Sequence, residues 1–316
     1  MRRWIIPVLA LLALLALAAS ACDLTGDPPR SGSSDDSDAP PVARTPAITI
    51  TPPPEDPCGQ PQQPGPSQIS LEVDGVSRSY QVYVPTTYDP GRRAAILLNF
   101  HGAGGSGEEQ AAYSGVFSVA DLGGFIVASP DADPATRTWD LSGGEADLNF
   151  VIAVIADVNR RLCVDVGRLF AMGFSDGASF SNELACEGFR FTAIAIVSGG
   201  GSAQNCRPAK EMDVIIFHGI DDPILPFNGI QPDIWARDWA RLNNCDDIPV
   251  VEEIAMAIEI TRYVGCPDLG NVVFYQVNGG GHTWPGSDEI LGPDVGATTH
   301  MVQGTLEIAR FFGLVD

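Results

Sequence analysis

The chain has 316 residues, 45% of them hydrophobic, with 40 acidic side chains against 18 basic ones and a formal net charge of −22. Lys210 is the only lysine, so no basic patch survives that balance and nucleic acid is excluded as a partner. The acidity reads as solubility, with a secondary preference for neutral over anionic substrates, and the length that remains behind the front end suits one α/β domain with a sizeable core.

Met1-Arg2-Arg3-Trp4 opens with two positive charges, an apolar run follows from Ile5 to Ala19, and Ala19-Ser20-Ala21-Cys22 closes it. This is the charged, apolar and small-residue order of an export signal, so residues 1–21 are expected to be a signal peptide. A cysteine directly after small residues is expected to be lipidated, making Cys22 the mature N-terminus and the membrane a partner through that anchor. Ordinary secretion and an uncleaved anchor are the alternatives, and all three place the domain outside the cytoplasm. Residues 22–57 hold nine prolines and few large apolar side chains, which reads as a disordered tether.

The remaining cysteines are Cys58, Cys163, Cys186, Cys206, Cys245 and Cys266. An even count in an exported chain reads as disulfides. Proximity in sequence favours Cys186–Cys206 and Cys245–Cys266, which leaves Cys58–Cys163. No C-x-x-C or Cys/His spacing suggests zinc.

Past Cys58, Ile69–Val73 and Tyr80–Val84 read as a hairpin around Asp74-Gly75. Ala94–Phe100 is a continuous apolar strand ending in His101-Gly102-Ala103-Gly104-Gly105, and Phe125–Ala128 is another short strand. Asp147–Leu162 has helical periodicity. Arg168–Gly173, Phe191–Val197, Val214–Phe217 and Val272–Val277 read as strands, with helices over Asp176–Cys186 and Thr298–Phe312. Buried strands separated by helices predict a mostly parallel sheet covered on both faces, in one domain over 58–316.

The chemistry centres on Gly173-Phe174-Ser175-Asp176-Gly177, between a predicted strand and a predicted helix. A serine on such a strand-to-helix turn exposes its hydroxyl at the top of a sheet, and the flanking glycines leave room for the close approach. Ser175 is therefore the expected nucleophile, and it needs a base and an acid to orient that base. Of four histidines, His282 lies in a glycine-rich loop after the last strand, where the order Ser, Asp, His of α/β-hydrolases places the base. His101 and His218 each end a strand, and His300 reads as a surface or capping residue. The acid is expected on the loop after Val214–Phe217, which offers Asp222, with Asp221 as the alternative; Pro223 holds Asp222 extended. The oxyanion hole is expected from the N–H of Asp176 and that of Ala103, with Gly104 next. A phosphate cradle is the rival for the glycine run, which lacks the lysine that motif requires. Trp139 and Trp284 are candidates for stacking on substrate rings.

NFHGAGGSG (99–107), GFSDGASFSNELAC (173–186), HGIDDPILPF (218–227) and GGGHTWPG (279–286) stand in this order. Together they resemble the secreted polyhydroxybutyrate depolymerases and feruloyl or acetylxylan esterases, including the LpqC-like lipoproteins. The resemblance covers essentially all of 58–316. It implies an α/β-hydrolase fold, a Ser175–Asp222–His282 triad without metal or cofactor, an oxyanion donor at Ala103, and disulfides like Cys186–Cys206 and Cys245–Cys266. Two positions depart from the family pattern: Asp176 puts a negative charge beside the serine, and Ala103 stands where many members carry cysteine. The expectation is a monomeric serine carboxylesterase acting on feruloyl, acetyl or hydroxyalkanoate esters, small or linked to oligosaccharides. A peptidase on the same scaffold and a non-catalytic glycan-binding lipoprotein are the rivals.

Overall fold

The computed structural model describes residues 56–316 except 205, 209, 268 and 290. The expected signal peptide, Cys22 and the tether up to residue 55 lie outside the described residues.

The strands are β1 (Gly65–Val73), β2 (Val76–Val84), β3 (Ala94–Phe100), β4 (Ile126–Pro130), β5 (Val164–Phe174), β6 (Ala193–Val197), β7 (Asp213–Gly219), β8 (Val250–Ile254), β9 (Ile258–Tyr263) and β10 (Val272–Val277). The helices are α1 (Gly107–Ser114), α2 (Val116–Gly123), α3 (Glu145–Arg161), α4 (Asp176–Cys186), the single turn α5 (Phe227–Ile230), α6 (Pro232–Leu242) and α7 (Gly304–Phe311). All ten strands form one sheet in the order β1-β2-β4-β3-β5-β6-β7-β10-β9-β8. The six from β4 to β10 run parallel, and an antiparallel pair closes each edge.

Alternation along each strand sends side chains into two cores. Ile96, Leu98 and Phe100 of β3 enter the layer shared with α3, α4 and α6, whereas Ala95 and Leu97 face the layer of α1, α2 and α7. Both faces are thus apolar, which is why these strands read as unbroken hydrophobic runs. Helix α3 buries Phe150, Val151, Val154, Ile155 and Val158 at helical spacing; acidic residues in its first turn and Arg160 and Arg161 in its last complement the helix dipole.

The hairpin is longer than its apolar alternation alone indicates, and its Asp74-Gly75 turn takes positive φ at both positions, as a two-residue turn of this type requires. The last helix is shorter than expected, starting at Gly304 instead of Thr298. The carbonyls of Val295, Ala297 and Thr299 accept the N–H groups of His282, Gly281 and Gly286, so this segment is committed to the His282 loop. Helices α1, α2, α5 and α6 and the β8–β9 hairpin are not among the elements read from the sequence. Helix α1 carried a visible signal, Ser106 with Glu109 three residues on: the Ser106 hydroxyl accepts the Glu109 N–H at 3.3 Å and bonds its carboxylate at 3.0 Å.

Disulfides join Cys58 to Cys163, Cys186 to Cys206 and Cys245 to Cys266. Among the described residues no helix is long and apolar enough to cross a membrane, and no group of three metal-ligating side chains is gathered.

Candidate active site

β5 ends at Phe174, and Ser175 follows at φ 54° and ψ −117°, with α4 starting at the next residue. Positive φ in a residue with a side chain costs on the order of 1–3 kcal/mol, tolerated where the surroundings fix it. Here they do. A Cβ on Gly173 would lie 2.1 Å from the Gly177 carbonyl oxygen, and one on Gly177 2.4 Å from that of Phe100. The two glycines allow α4 to pack against β3 and β5 while the serine caps the turn. The Ser175 N–H is tied to the Val197 carbonyl of β6 at 2.9 Å. Among the described residues the Ser175 hydroxyl has no hydrogen-bond partner, and it remains partly accessible.

β6 and β7 lie next in the sheet, and the loop after β7 carries the candidate acids Asp221 and Asp222. Asp222 is buried, whereas Asp221 is exposed. Asp222 Oδ1 accepts the N–H groups of Ile224 and Leu225 at 2.8 and 2.7 Å. Its Oδ2 receives His282 Nδ1–H at 2.8 Å. Burial alone would raise this carboxyl, but the His282 N–H and the two backbone donors outweigh it and hold the group below the usual aspartate range. Of the two candidate acids, Asp222 is the one in contact with His282.

His282 follows β10, the strand beside β7, and its loop is braced by the 295–299 segment and by Trp284, whose N–H donates to the Tyr113 hydroxyl at 2.8 Å. With Nδ1–H given to Asp222, Nε2 is left as the acceptor. The imidazole packs against the Phe174 ring, centroids 5.0 Å apart, one residue from Ser175. Loops at the carboxyl ends of β5, β7 and β10 therefore bring Ser175, Asp222 and His282 to one end of the parallel strands.

The loop after β3 lies directly on the serine: a Cβ on Gly102 would stand 3.3 Å from that of Ser175. Gly104 donates its N–H to the Arg137 carbonyl at 2.8 Å, so it is not free for a substrate. The N–H groups of Ala103 and Asp176 have no acceptor among the described residues. Besides the bond from Gly104 to Arg137, this loop is held by three further ties to the segment after β4. The Ala132 N–H donates to His101 Nε2 at 2.9 Å, the Trp139 indole N–H to the His101 carbonyl at 2.9 Å, and Arg137 to the Gly105 carbonyl at 3.1 Å. His101 in turn donates Nδ1–H to the Gly102 carbonyl at 2.7 Å. Burial lowers its basicity and keeps the ring neutral, as the accepting Nε2 requires.

The Asp176 carboxylate accepts the Trp139 N–H at 2.9 Å; burial raises its pKa and this hydrogen bond pulls the other way. The charge beside the serine is therefore a fastener for the 136–140 segment.

The two tryptophans read as substrate platforms are not exposed. Trp139 is 4% exposed, stacked on Phe180 with centroids 4.6 Å apart. Trp284 is 1% exposed, its indole N–H satisfied by Thr305 Oγ1 at 2.9 Å. Both supply packing and loop anchoring, because other side chains cover their faces. The half-buried aromatic beside the serine helix is Trp235 of α6, unread in the sequence: a Cβ on Gly200 would meet both its Cη2 and Ser179 Oγ at 3.5 Å. Ile224, 53% exposed, and half-buried Leu225 lie on the acid's own loop. An amphipathic helix opened by Pro232 was the available signal for α6. His300, expected to be a surface or capping residue, is a surface residue in the segment before α7, 3.8 Å from Asp288.

No family model matches the chain. The putative esterase NocK of Nocardia uniformis subsp. tsuyamanensis is 28% identical over 279 residues, 76% of this chain and 80% of that protein. A probable feruloyl esterase C of Aspergillus niger is 33% identical over 229 residues, 69% of this chain and 81% of its own length. The acetyl xylan esterase from Aspergillus awamori superposes with a TM-score of 0.59 over 79% of this chain and all of that one, at 17% identity, which shows a common fold. With that identity to a feruloyl esterase C and the sheet described above, the chain belongs to a serine-type esterase family of α/β-hydrolases and is a carboxylic ester hydrolase.

Proposed function

We propose that the protein works outside the cytoplasm as a serine esterase, through an acyl-enzyme on Ser175. The observation that carries this reading is the buried 2.8 Å contact between Asp222 and His282 Nδ1, one strand-end loop away from the serine on its strained turn. Ser175 Oγ attacks the ester carbonyl as His282 Nε2 takes its proton. The Asp222 carboxylate stabilises the imidazolium, and the N–H groups of Asp176 and Ala103 hold the oxyanion. Each such donor is worth about 3 kcal/mol of barrier. His282 then protonates the leaving alcohol, and water, deprotonated by the same imidazole, releases the acid and restores the serine.

The substrate reading is feruloyl or acetyl esters of soluble sugars, in line with the names of the relatives, ahead of hydroxyalkanoate esters. Half-buried Trp235 and the apolar Ile224 and Leu225 would receive the acyl group or its ring. Three disulfides and the apolar start of the chain support export, with lipidation at Cys22 as the proposed anchor.

The test is initial-rate hydrolysis of p-nitrophenyl acetate, methyl ferulate and a hydroxybutyrate oligomer by the exported protein. Ser175→Ala is expected to lose about 10⁴-fold or more in kcat. Trp235→Ala is expected to raise KM for methyl ferulate about 5- to 10-fold and to leave the acetate nearly unchanged. Retained turnover in Ser175→Ala would overturn the mechanism, and equal effects of Trp235→Ala on both esters would remove it from the acyl site.

A further inference from the structure

We propose that His218 is a positioning residue of this esterase, a second imidazole that fixes the Asp222 carboxylate and its loop in register with His282; the proposal rests on the triad reading above. His218 is the penultimate residue of β7, four residues before the acid, and both side chains are fully buried. Its Nε2 lies 2.9 Å from the Leu225 carbonyl and 3.4 Å from Asp222 Oδ2, the oxygen that accepts the His282 proton. Both neighbours of Nε2 are acceptors, so this nitrogen carries the hydrogen. Nδ1 has no protein partner. The ring borders a cavity of about 10 Å³ shared with Ser198 and Thr283, room for a single water.

Leu225 makes the arrangement specific. Its carbonyl takes the His218 proton while its N–H donates to Asp222 Oδ1, so one residue is held by the strand and holds the acid. The Asp222 N–H contributes only a long bond of 3.4 Å to the Gly219 carbonyl. Without His218 the acid end of the loop from Asp221 to Pro226 would keep that bond and the 2.9 Å bond of the Asp221 N–H to the Gly280 carbonyl, but the Leu225 end would lose its tie to β7. The Ile224 and Leu225 donors would then move with the loop and carry the carboxylate with them, lengthening the contact to His282.

The same position explains why the second imidazole is neutral. Burial pushes His218 below the ordinary histidine range, against the pull of the Leu225 carbonyl and Asp222. A cationic ring 3.4 Å from Oδ2 would pair with the carboxylate and take from His282 the negative charge that stabilises its imidazolium. A neutral donor gives position without cancelling charge.

The experiment compares His218→Asn, whose amide is too short to reach the Nε2 position, with His218→Gln, whose amide reaches it. Each is made alone and with Asp222→Asn. kcat and KM for p-nitrophenyl acetate are measured per active site, counted by titration with a phosphonate, so that loss of folded protein does not enter the rate. His218→Asn is expected to lower kcat about 10- to 100-fold at unchanged KM, with His218→Gln restoring most of it. In the Asp222→Asn background His218→Asn is expected to add little, because its effect passes through that carboxylate. The low-field proton resonance of His282 Nδ1–H is expected to shift in His218→Asn and to return in His218→Gln. A wild-type kcat per titrated site in His218→Asn, an equal loss in both backgrounds, or a glutamine variant no better than asparagine would overturn the proposal. Wild-type rates in Asp222→Asn itself would instead overturn the triad and this role with it.

Discussion

Asp176 shows how one residue can be local and structural at once. Its N–H has no acceptor among the described residues, while its carboxylate reaches across to the Trp139 N–H at 2.9 Å. Trp139 is fixed in turn by its indole on the His101 carbonyl, and Asp140 by its N–H on Asp147, which pairs with buried Arg78 at 2.8 Å. Removing the carboxylate strands a partly buried donor, at a cost of about 1–3 kcal/mol. Asp176→Ala is therefore expected to lower the unfolding free energy by that amount in urea titrations. Asp176→Asn, which keeps an acceptor, is expected to lose less than half as much. Equal losses would mean that charge, and not the hydrogen bond, holds the segment. Residues of this kind were half legible. The sequence showed an acid beside the serine, but the donor it fastens lies 37 positions away on another loop.

Among the elements, those that bury both faces were readable, because a strand such as β3 shows no polar alternation and its run of apolar residues is bounded by the His101-Gly102 turn. The β8–β9 hairpin escaped for the opposite reason. Every residue of β8 is exposed, so no burial pattern marks it as a strand, and its pairing depends on β9 being placed first by β10. Helix α1 has few apolar residues and only its cap to announce it. The disulfides divide along similar lines. Cys58–Cys163 spans 105 residues and binds the chain before β1 to the turn between α3 and β5, whereas the other two close 20 and 21 residues. Loop-closure entropy puts the first at about 5 kcal/mol and the others near 3 kcal/mol each. Paired alanine substitutions, followed by chemical denaturation, are expected to rank in that order. Equal losses would place the stabilisation in native contacts instead of in the unfolded chain.

For the whole molecule, pH acts through groups whose burial sets their charge. His101 and His218 are both pushed below their ordinary value of 6.5, so the folded protein refuses protons that the unfolded chain accepts. Stability is thus undiminished above pH 6.5 and falls as the pH drops below it, by up to about 1.4 kcal/mol per pH unit for each withheld proton. Asp222, held below its ordinary 3.8, adds a further loss under pH 4. Asp176 and Glu183, raised by burial, act in the opposite sense at the lower end of the range. Unfolding free energies are expected to be flat from pH 8 to 7 and to decline toward pH 5, less steeply in His218→Gln. A constant stability over that range would mean that the two rings take up protons without unfolding. The candidate triad could be placed from the sequence because Ser175, Asp222 and His282 follow parallel strands in the order in which the sheet stacks them. Trp139 and Trp284 misled because whether an aromatic ring faces solvent depends on what covers it, which no local pattern records.

The Cys58–Cys163 bond also gives the molecule a direction. Cys163 immediately precedes β5, its carbonyl accepts the Ala94 N–H at the start of β3, and Asp56 pairs with Arg93 beside them at 2.7 Å. Ser175 lies beyond the other end of β5, which between Val164 and Gly173 runs alongside Ala94–Phe100 of β3, a span of about 20 Å. The described chain thus enters the sheet at the end opposite Ser175. A support coupled at Asp56 would meet the amino end of β5 and leave the candidate site uncovered.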